Sequence, residues 1–568
     1  MSSSTWFPSF KRPNVALSNG DDHPLLPTNG SASHGEYDDE DLEIENEMRN
    51  FASNEQNGGR GRGLRRYWPI ALVFAVIAVL FLASRRSSGP RGRPRRDRPA
   101  FDYWDISTAK VDALFARQSS TLEQARSRYS LRNNRPPPPM YDKWFEFARE
   151  HSCLIDEYEQ ISRDFEPFYQ LAKDDPTFFK RMVDKATPVI QKDGRGLKTA
   201  AFSGNKFALT DDKSTLYNNE WPRTFERFQS FMPNMSVILN GRDEPRSAFN
   251  YRQPDMRAKA LNASDETPFQ HSPSPTASFF KDELQCLVPM RPNGFTGLAN
   301  DASAFMLYAS STEFTTDLSP IMSMTKISPC FSDILVPSEF YYTDSWWSPK
   351  YGYPNNITWD DKQEKLYWRG MTSGGRVYGD NYHAFPRLRL IEIARKHHDL
   401  MDVKLSGFHW DLCGDKCDGN KIIHDYDIAK VSSPREEGYK YKYVFDVDGN
   451  SFSGRYLGLL KSGSLVFKST VFAEYFNDWL VPFEHYIPIL PDLSDLVEKL
   501  EWAVEHDDEA HAIQQAGQAL IERVLTDKQN DCYFSAVMLE WARLYNMAEE
   551  GQGKVHPPGP VDIELATD

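Results

Sequence analysis

Two short loops in this chain each carry a single arginine among glycines and hydroxyls. The first is YWRGMTSGGR, in which Arg369 ends an apolar stretch and Gly370, Thr372, Ser373, Gly374 and Gly375 follow. The second is DGNSFSGR, in which Asn450, Ser451, Phe452 and Ser453 precede Arg455. A planar guanidinium bridges two phosphate oxygens where a lysine cannot, and small residues let an anion approach backbone N–H groups. Either loop alone is unspecific, since a solvated Ser/Gly turn with a surface arginine is the commoner arrangement. On successive strand–helix units the two together predict a diphosphate pocket. A third segment, VILNGRDEPR, places Asp243 just beyond a strand, where it could take a proton from an incoming hydroxyl. The same spacing also fits a surface turn with an Arg–Asp pair.

The surrounding segments must position these groups. EKLYWRG, MDVKLSG, YKYVFDVDG and SLVFKST read as strands, and FPRLRLIEIARKHH and GRYLGLLKSG as the helices between them. Such alternation predicts parallel βαβ units, whose ligands sit at the carboxyl ends of the strands. Residues 150–330 mix helices such as DDPTFFKRMVDKA with short strands such as MSVILNG, and residues 492–548 read as helical. Two α/β layers with a helical end are the expected architecture. Asp446-Val447-Asp448 has the form that holds a divalent cation on nucleotide-sugar phosphates. It lies beside an arginine-bearing loop, however, and arginine neutralises phosphate without a metal, so none is expected.

Across 568 residues the apolar fraction is 40% and the formal net charge −15, which argues against general nucleic-acid binding. Six cysteines permit up to three disulfides. Cys413 and Cys417 lie close, but no second pair has zinc-ribbon spacing. Residues 1–66, with the run EYDDEDLEIENE, are too polar to fold alone. The apolar run Tyr67–Ser84 would make a helix of roughly 27 Å, at the short end for a bilayer, and is read as a signal anchor. Arginines flank it on both sides, with more following than preceding, so the positive-inside count puts the C-terminal part in the cytoplasm. Sequons at Asn234, Asn262 and Asn356 favour the lumen, although another at Asn29 lies in the tail. Residues 85–139 form the expected stem, with an amphipathic helix between Trp104 and Arg132 and a stiff RPPPP end.

From about Pro136 to Leu500 the chain resembles glycosyltransferase family 90, the family of fungal capsule-associated proteins and animal protein O-glucosyltransferases. The matching segments, in family order, are RPPPPMYDKWFEFA, NGRDEPR, SDILVPSEFYY, KLYWRGMTSGG, YKYVFDVDGNSFSGRYLGLLKSGSLVFKST and FNDWLVPFEHYIPI. The resemblance implies a GT-B-like α/β fold: two Rossmann-type domains facing across a cleft, preceded by a single transmembrane helix and the stem. Residues 140–360 would form the acceptor domain, 361–548 the nucleotide-sugar-binding domain, and 549–568 a tail. It further implies a type II protein of the Golgi or endoplasmic reticulum membrane, luminal and anchored in the bilayer by residues 67–84. Such a protein would move a sugar from a UDP-sugar to a glycan or glycoprotein hydroxyl with inversion, using no cofactor. Asp243 would be the base, and Arg369 and Arg455 the diphosphate ligands. Gly370, Thr372, Ser373 and Asn450 to Ser453 would line the donor, with Tyr341 and Tyr342 near its sugar. Gly454 stands where the glucosyltransferases carry an aromatic, and the sequence is closer to the fungal branch, so the donor sugar stays open. Two rivals remain: an inactive glycan-binding scaffold, and a glycoside hydrolase, which would need two flanking carboxylates.

Overall fold

The protein's structure, a computed structural model, describes residues 103–550 except 254, 262–269, 272–312, 350, 354–356, 415 and 429–432. The polar tail, the span at 67–84, the first part of the stem, the C-terminal tail and the sequons at Asn29, Asn262 and Asn356 lie outside the described residues. Among the described residues no helix is long and apolar enough to cross a membrane.

The residues expected as an amphipathic stem helix form two helices, α1 (Trp104–Ala116) and α2 (Leu122–Asn133). The Thr121 hydroxyl caps α2 by accepting from Gln124 N at 3.2 Å, and Asn134 ends it in the left-handed region. Both helices lie on the folded body. Asp112 of α1 pairs with Arg523 at 2.9 Å, and the Tyr129 hydroxyl of α2 donates to Glu540. Three helices follow: α3 (Tyr141–Glu150), α4 (Glu159–Ala172) and α5 (Phe178–Asp193). In α3 the buried Tyr141, Trp144, Phe145 and Ala148 have the spacing of one helical face.

The first sheet contains β1 (Leu197–Ser203), β2 (Lys206–Leu209), β3 (Met235–Asn240), β6 (Met322–Ser323) and β7 (Ile334–Leu335), in the order β2-β1-β3-β6-β7. Only β3, β6 and β7 run parallel, and β1 is antiparallel to both its neighbours. The sheet is therefore mixed rather than purely Rossmann-type. Its hairpin turns through Gly204 and Asn205, both at positive φ, as a tight two-residue β-turn requires. Helices α6 (Glu220–Glu226) and α7 (Met256–Leu261) and the short pair β4 (Gln270–His271) and β5 (Glu313–Phe314) complete this half.

The second half follows the expected alternation closely. It runs β8 (Gln363–Met371), α8 (Pro386–Lys396), β9 (Met401–Gly407), α9 (Gly419–Tyr426), β10 (Tyr441–Val447), α10 (Tyr456–Leu460), β11 (Leu465–Ser469) and β12 (Ile487–Ile489). The five strands are all parallel, in the order β12-β11-β10-β8-β9. Every position of β10 and β11 is buried, as a strand covered on both faces demands. Strand order reverses between β8 and β10, which makes their carboxyl ends the topological switch point.

Helices α11 (Leu496–Glu505), α12 (Asp507–Val524) and α13 (Asp527–Glu550) follow. The last of them crosses back to the first half, where Trp541 Nε1 donates to Ser236 O on β3 at 2.9 Å. Cys532 of α13 is disulfide-bonded to Cys153, and its carbonyl accepts from Trp144 Nε1. Cys413 is bonded to Cys417, and Cys330 is also disulfide-bonded. The loops after β6 and β11 meet through paired backbone bonds between Lys326 and Ala473, so the carboxyl edges of the two sheets face a shared boundary.

The Cys153–Cys532 bond closes a loop of 379 residues. Replacing both cysteines by serine should lower the unfolding free energy by about 2–4 kcal/mol in urea titrations. A loss below about 1 kcal/mol would mean that the apolar face of α13 alone holds it in place.

Candidate active site

Alternation along β8 divides its residues between two faces. Leu366 and Trp368 enter the core of the second half, and Trp368 also borders a pocket that Tyr367 and Arg369 line. Arg369 Nη2 donates to Asp402 Oδ1 at 2.8 Å, and Nη1 to the carbonyls of Asp402 and Trp368 at 2.8 and 2.9 Å. Its guanidinium lies 4.4 Å over the Tyr367 ring. Burial works to raise the Asp402 carboxyl, but the Tyr441 hydroxyl, donating at 2.6 Å, and Arg369 outweigh it and hold the group below its ordinary value.

Arg455 precedes α10 and is 8% exposed. Its Nη1 donates to Arg369 O at 2.5 Å, and its guanidinium lies 5.7 Å from the Trp368 ring. The two arginines therefore meet at the switch point. Both line one pocket, together with Tyr351, Tyr367, Arg435 and Tyr439.

The glycine and hydroxyl loops do not line this pocket; they pack against each other at the strand ends. Gly374, at φ +100, donates from its N–H to Asn450 Oδ1 at 3.5 Å, and a Cβ there would come within 3.1 Å of Gly449 O. Thr372 Oγ1 accepts from His409 N at 2.9 Å, and Ser373 is fully buried. Gly370 has no room for a side chain, since a Cβ would meet the Trp368 ring at 2.6 Å. Arg387, in the first turn of α8, ties the two strand ends together: Nε donates to Asp448 O at 3.1 Å and Nη1 to Met371 O at 2.8 Å. Reading the sequence missed Arg387, because FPRLRL has the look of any amphipathic helix start.

Beneath the second loop lies a fully buried ion pair. Lys468 of β11 holds Asp446 Oδ2 at 2.7 Å, Ser453 Oγ donates to Asp446 Oδ1, and Lys468 Nζ sits 3.9 Å over the Tyr456 ring. Asp448 Oδ2 accepts from Val471 N at 3.0 Å, and burial pushes this carboxyl well above its ordinary value. Asp448 Oδ1 and Ser451 Oγ are buried with no hydrogen-bond partner among the described residues. The first carboxylate of Asp-x-Asp is thus committed to a lysine. Among the described residues no three His, Cys, Asp or Glu side chains cluster as metal ligands.

Phe452 packs against Phe340 with ring centroids 5.6 Å apart, inside the core that spans both halves. Tyr341 donates from its hydroxyl to both Glu474 oxygens at 2.7 Å, in the loop after β11. Tyr342 is instead fully buried beneath Arg227, whose guanidinium lies 4.7 Å from its ring.

Asp243 belongs to the other sheet. It is half-buried in the loop after β3 and does not line the arginine pocket. That loop has a fixed shape. Asn240 Nδ2 donates to Glu244 O at 2.8 Å, and the backbone N–H groups of Arg246 and Ser247 donate to Asp333 at 2.8 and 2.9 Å. It then crosses the boundary, and Ala248 packs in the core of the second half with Phe472.

Comparison with known proteins bears out the resemblance read from the motifs. Residues 353–556 match the sequence model of the family described as Glycosyl transferase family 90. Protein O-glucosyltransferase 2 of Danio rerio is 34% identical over 187 residues, covering 33% of this chain and 34% of that protein. Human protein O-glucosyltransferase 3 is 31% identical over 208 residues, covering 36% and 37%. Human protein O-glucosyltransferase 1 is 27% identical over 252 residues, covering 42% and 61%. The chain thus matches about a third of the length of the first two relatives. Arg369, Arg455 and their loops fall inside the family match, whereas Asp243, Tyr341 and Tyr342 fall outside it.

Lys468→Met would strand a buried carboxylate and should cost about 3–5 kcal/mol in chemical denaturation. Adding Asp446→Asn should recover most of that loss. A single variant as stable as the parent would show that the pair does not organise this loop.

Proposed function

We propose that this chain, whose residues 353–556 carry the family 90 sequence, is a glycosyltransferase that moves a sugar from a UDP-sugar to a hydroxyl of a glycoprotein or glycan. The observation that carries this reading is the convergence of Arg369 and Arg455, from successive strand–helix units of a parallel sheet, on one pocket at its switch point. The names of the relatives support the transfer of a sugar to protein. The meeting of two sheets at their carboxyl edges supports a GT-B-like arrangement, with the donor on the second half and the acceptor entering from the first.

In this reading Arg369 and Arg455 neutralise the diphosphate. The acceptor oxygen attacks the anomeric carbon as its proton passes to the Asp243 carboxylate. The bond from that carbon to the phosphate oxygen breaks, and UDP leaves with the electron pair. A single displacement inverts the configuration. Charge placed at the leaving group is commonly the largest catalytic contribution, ~3–4 kcal/mol for each donor removed. Xylose, glucose and galactose are the candidate sugars. The span at residues 67–84 would hold the protein in a Golgi or endoplasmic reticulum membrane with its catalytic part in the lumen.

Full-length protein in detergent, incubated with UDP-xylose, UDP-glucose and UDP-galactose, should hydrolyse one of them slowly or transfer its sugar, as read by mass spectrometry. Asp243→Asn should lower turnover by about 10²–10⁴ while UDP binding persists. Arg455→Ala should weaken UDP binding by about tenfold or more in calorimetry. A wild-type protein that binds no UDP would replace this reading with a scaffold. Full turnover by the Asp243 variant would remove the base assignment.

A further inference from the structure

The sequon Asn234-Met235-Ser236 straddles the start of β3, whereas those at Asn29, Asn262 and Asn356 lie outside the described residues. Its two polar residues have different surroundings. Ser236 is part of the strand, where its carbonyl accepts from Trp541 Nε1 at 2.9 Å and its hydroxyl from Tyr545 at 3.3 Å. Asn234 stands one residue before the strand and is exposed. Its Oδ1 accepts from Gly204 N at 3.0 Å, and its backbone carbonyl from Asn546 Nδ2 at 3.1 Å. Both contacts use oxygen atoms. A sugar on Nδ2 replaces one amide hydrogen and leaves both oxygens as acceptors, so the folded contacts survive the modification.

The space beside Asn234 is open. Residues 203–206 of the neighbouring hairpin are all exposed, and a Cβ on Gly204 would meet nothing within 4 Å. Position along the strand matters too. β3 runs from this end toward Asn240 and the Asp243 loop, and its six residues at ~3.3 Å each separate the two ends by roughly 20 Å. A glycan here is rooted at the opposite end of the strand from the edge where the two sheets meet.

We infer that Asn234 carries an N-linked glycan, attached from a lipid-linked oligosaccharide diphosphate as the chain enters the secretory lumen. Nδ2 forms the bond to the anomeric carbon, and the bond from that carbon to the diphosphate oxygen breaks. The lipid diphosphate leaves with the electron pair, and the amide loses one proton. The inference does not involve the donor pocket and rests on the luminal placement proposed above.

Full-length protein made in a eukaryotic secretory host and treated with peptide N-glycosidase tests it, because that enzyme converts a glycosylated asparagine to aspartate. Mass spectrometry should find aspartate at position 234 only after the treatment. Asn234→Gln and Ser236→Ala should each lose the mass of one glycan, whereas Ser236→Thr keeps the sequon and should retain it. An unmodified Asn234 in protein that carries glycans on Asn262 or Asn356 would overturn the assignment and leave the luminal placement standing. Protein without any glycan would overturn it as well, and protease digestion of intact microsomes would then decide the placement. Protection of the C-terminal part keeps it in the lumen, and cleavage removes that reading too.

Discussion

A lysine and an aspartate with no access to water underlie the arrangement of the second half. Lys468 and Asp446 are both fully buried, so their mutual attraction must offset the loss of hydration of two ions. It does so only in a narrow geometry, in which Ser453 fills the second carboxylate oxygen and the Tyr456 ring faces the ammonium. Those two residues flank Arg455 in the chain. Satisfying the pair therefore sets the path of the loop from Asn450 to Tyr456 and delivers Arg455 to the carbonyl of Arg369. A hydrophobic pair of the same volume would hold β10 to β11 as well, but it would leave the loop free to choose among conformations.

A second buried pair works the same way at the boundary between the sheets. Lys326 reaches Asp164 of α4 at 2.5 Å and donates to Asp333 O at 2.8 Å, while its backbone pairs with Ala473. Asp333 in turn receives the N–H groups of Arg246 and Ser247, just after Asp243. The loop that carries the candidate base and the loop that follows β11 are thus referred to one shared set of buried charges. Geometry at the boundary follows from electrostatics that tolerate little displacement, because an unmet charge in the interior costs several kcal/mol, on the order of half a domain's net stability.

Much of the second half could be read from its sequence, and the reasons are local. YKYVFDV and SLVFKS are apolar runs without alternation, which only a strand covered on both faces produces, and the helices between them have ordinary lengths. The arginine loops were visible because glycines and hydroxyls at strand ends are a local pattern too. What stayed hidden is what depends on distant partners. Lys468 in SLVFKST looks like a solvated strand lysine, and nothing nearby announces an aspartate 22 residues earlier. Arg387 meets Asp448 across 61 residues, and Arg369 meets Asp402 across 33. In the first half, β6 and β7 have two residues each, too few for any periodic signal, so the mixed sheet could not be foreseen. The stem residues 104–133 read as one amphipathic helix, yet they form two helices whose apolar residues are only weakly gathered on one face, so periodicity could not say what they cover.

The partners of the arginines also divide their work. A guanidinium has five N–H groups. Arg369 commits three of them, two from Nη1 to the carbonyls of Trp368 and Asp402 and one from Nη2 to the Asp402 carboxylate. What it can offer an anion is at most the remaining two, with its charge already partly met. Its contribution is then chiefly position: it is locked on the strand, stacked on Tyr367, and its backbone carbonyl holds Arg455. Arg455 stands at the entry to α10, with Nη1 on Arg369 O and its guanidinium near the Trp368 ring. A departing diphosphate gains negative charge as the sugar bond breaks, and the field that matters is the one not already spent on the protein's own carboxylates. Under the proposed transfer, the N–H groups that Arg369 already gives to Trp368 and Asp402 limit its own share in stabilising a leaving diphosphate.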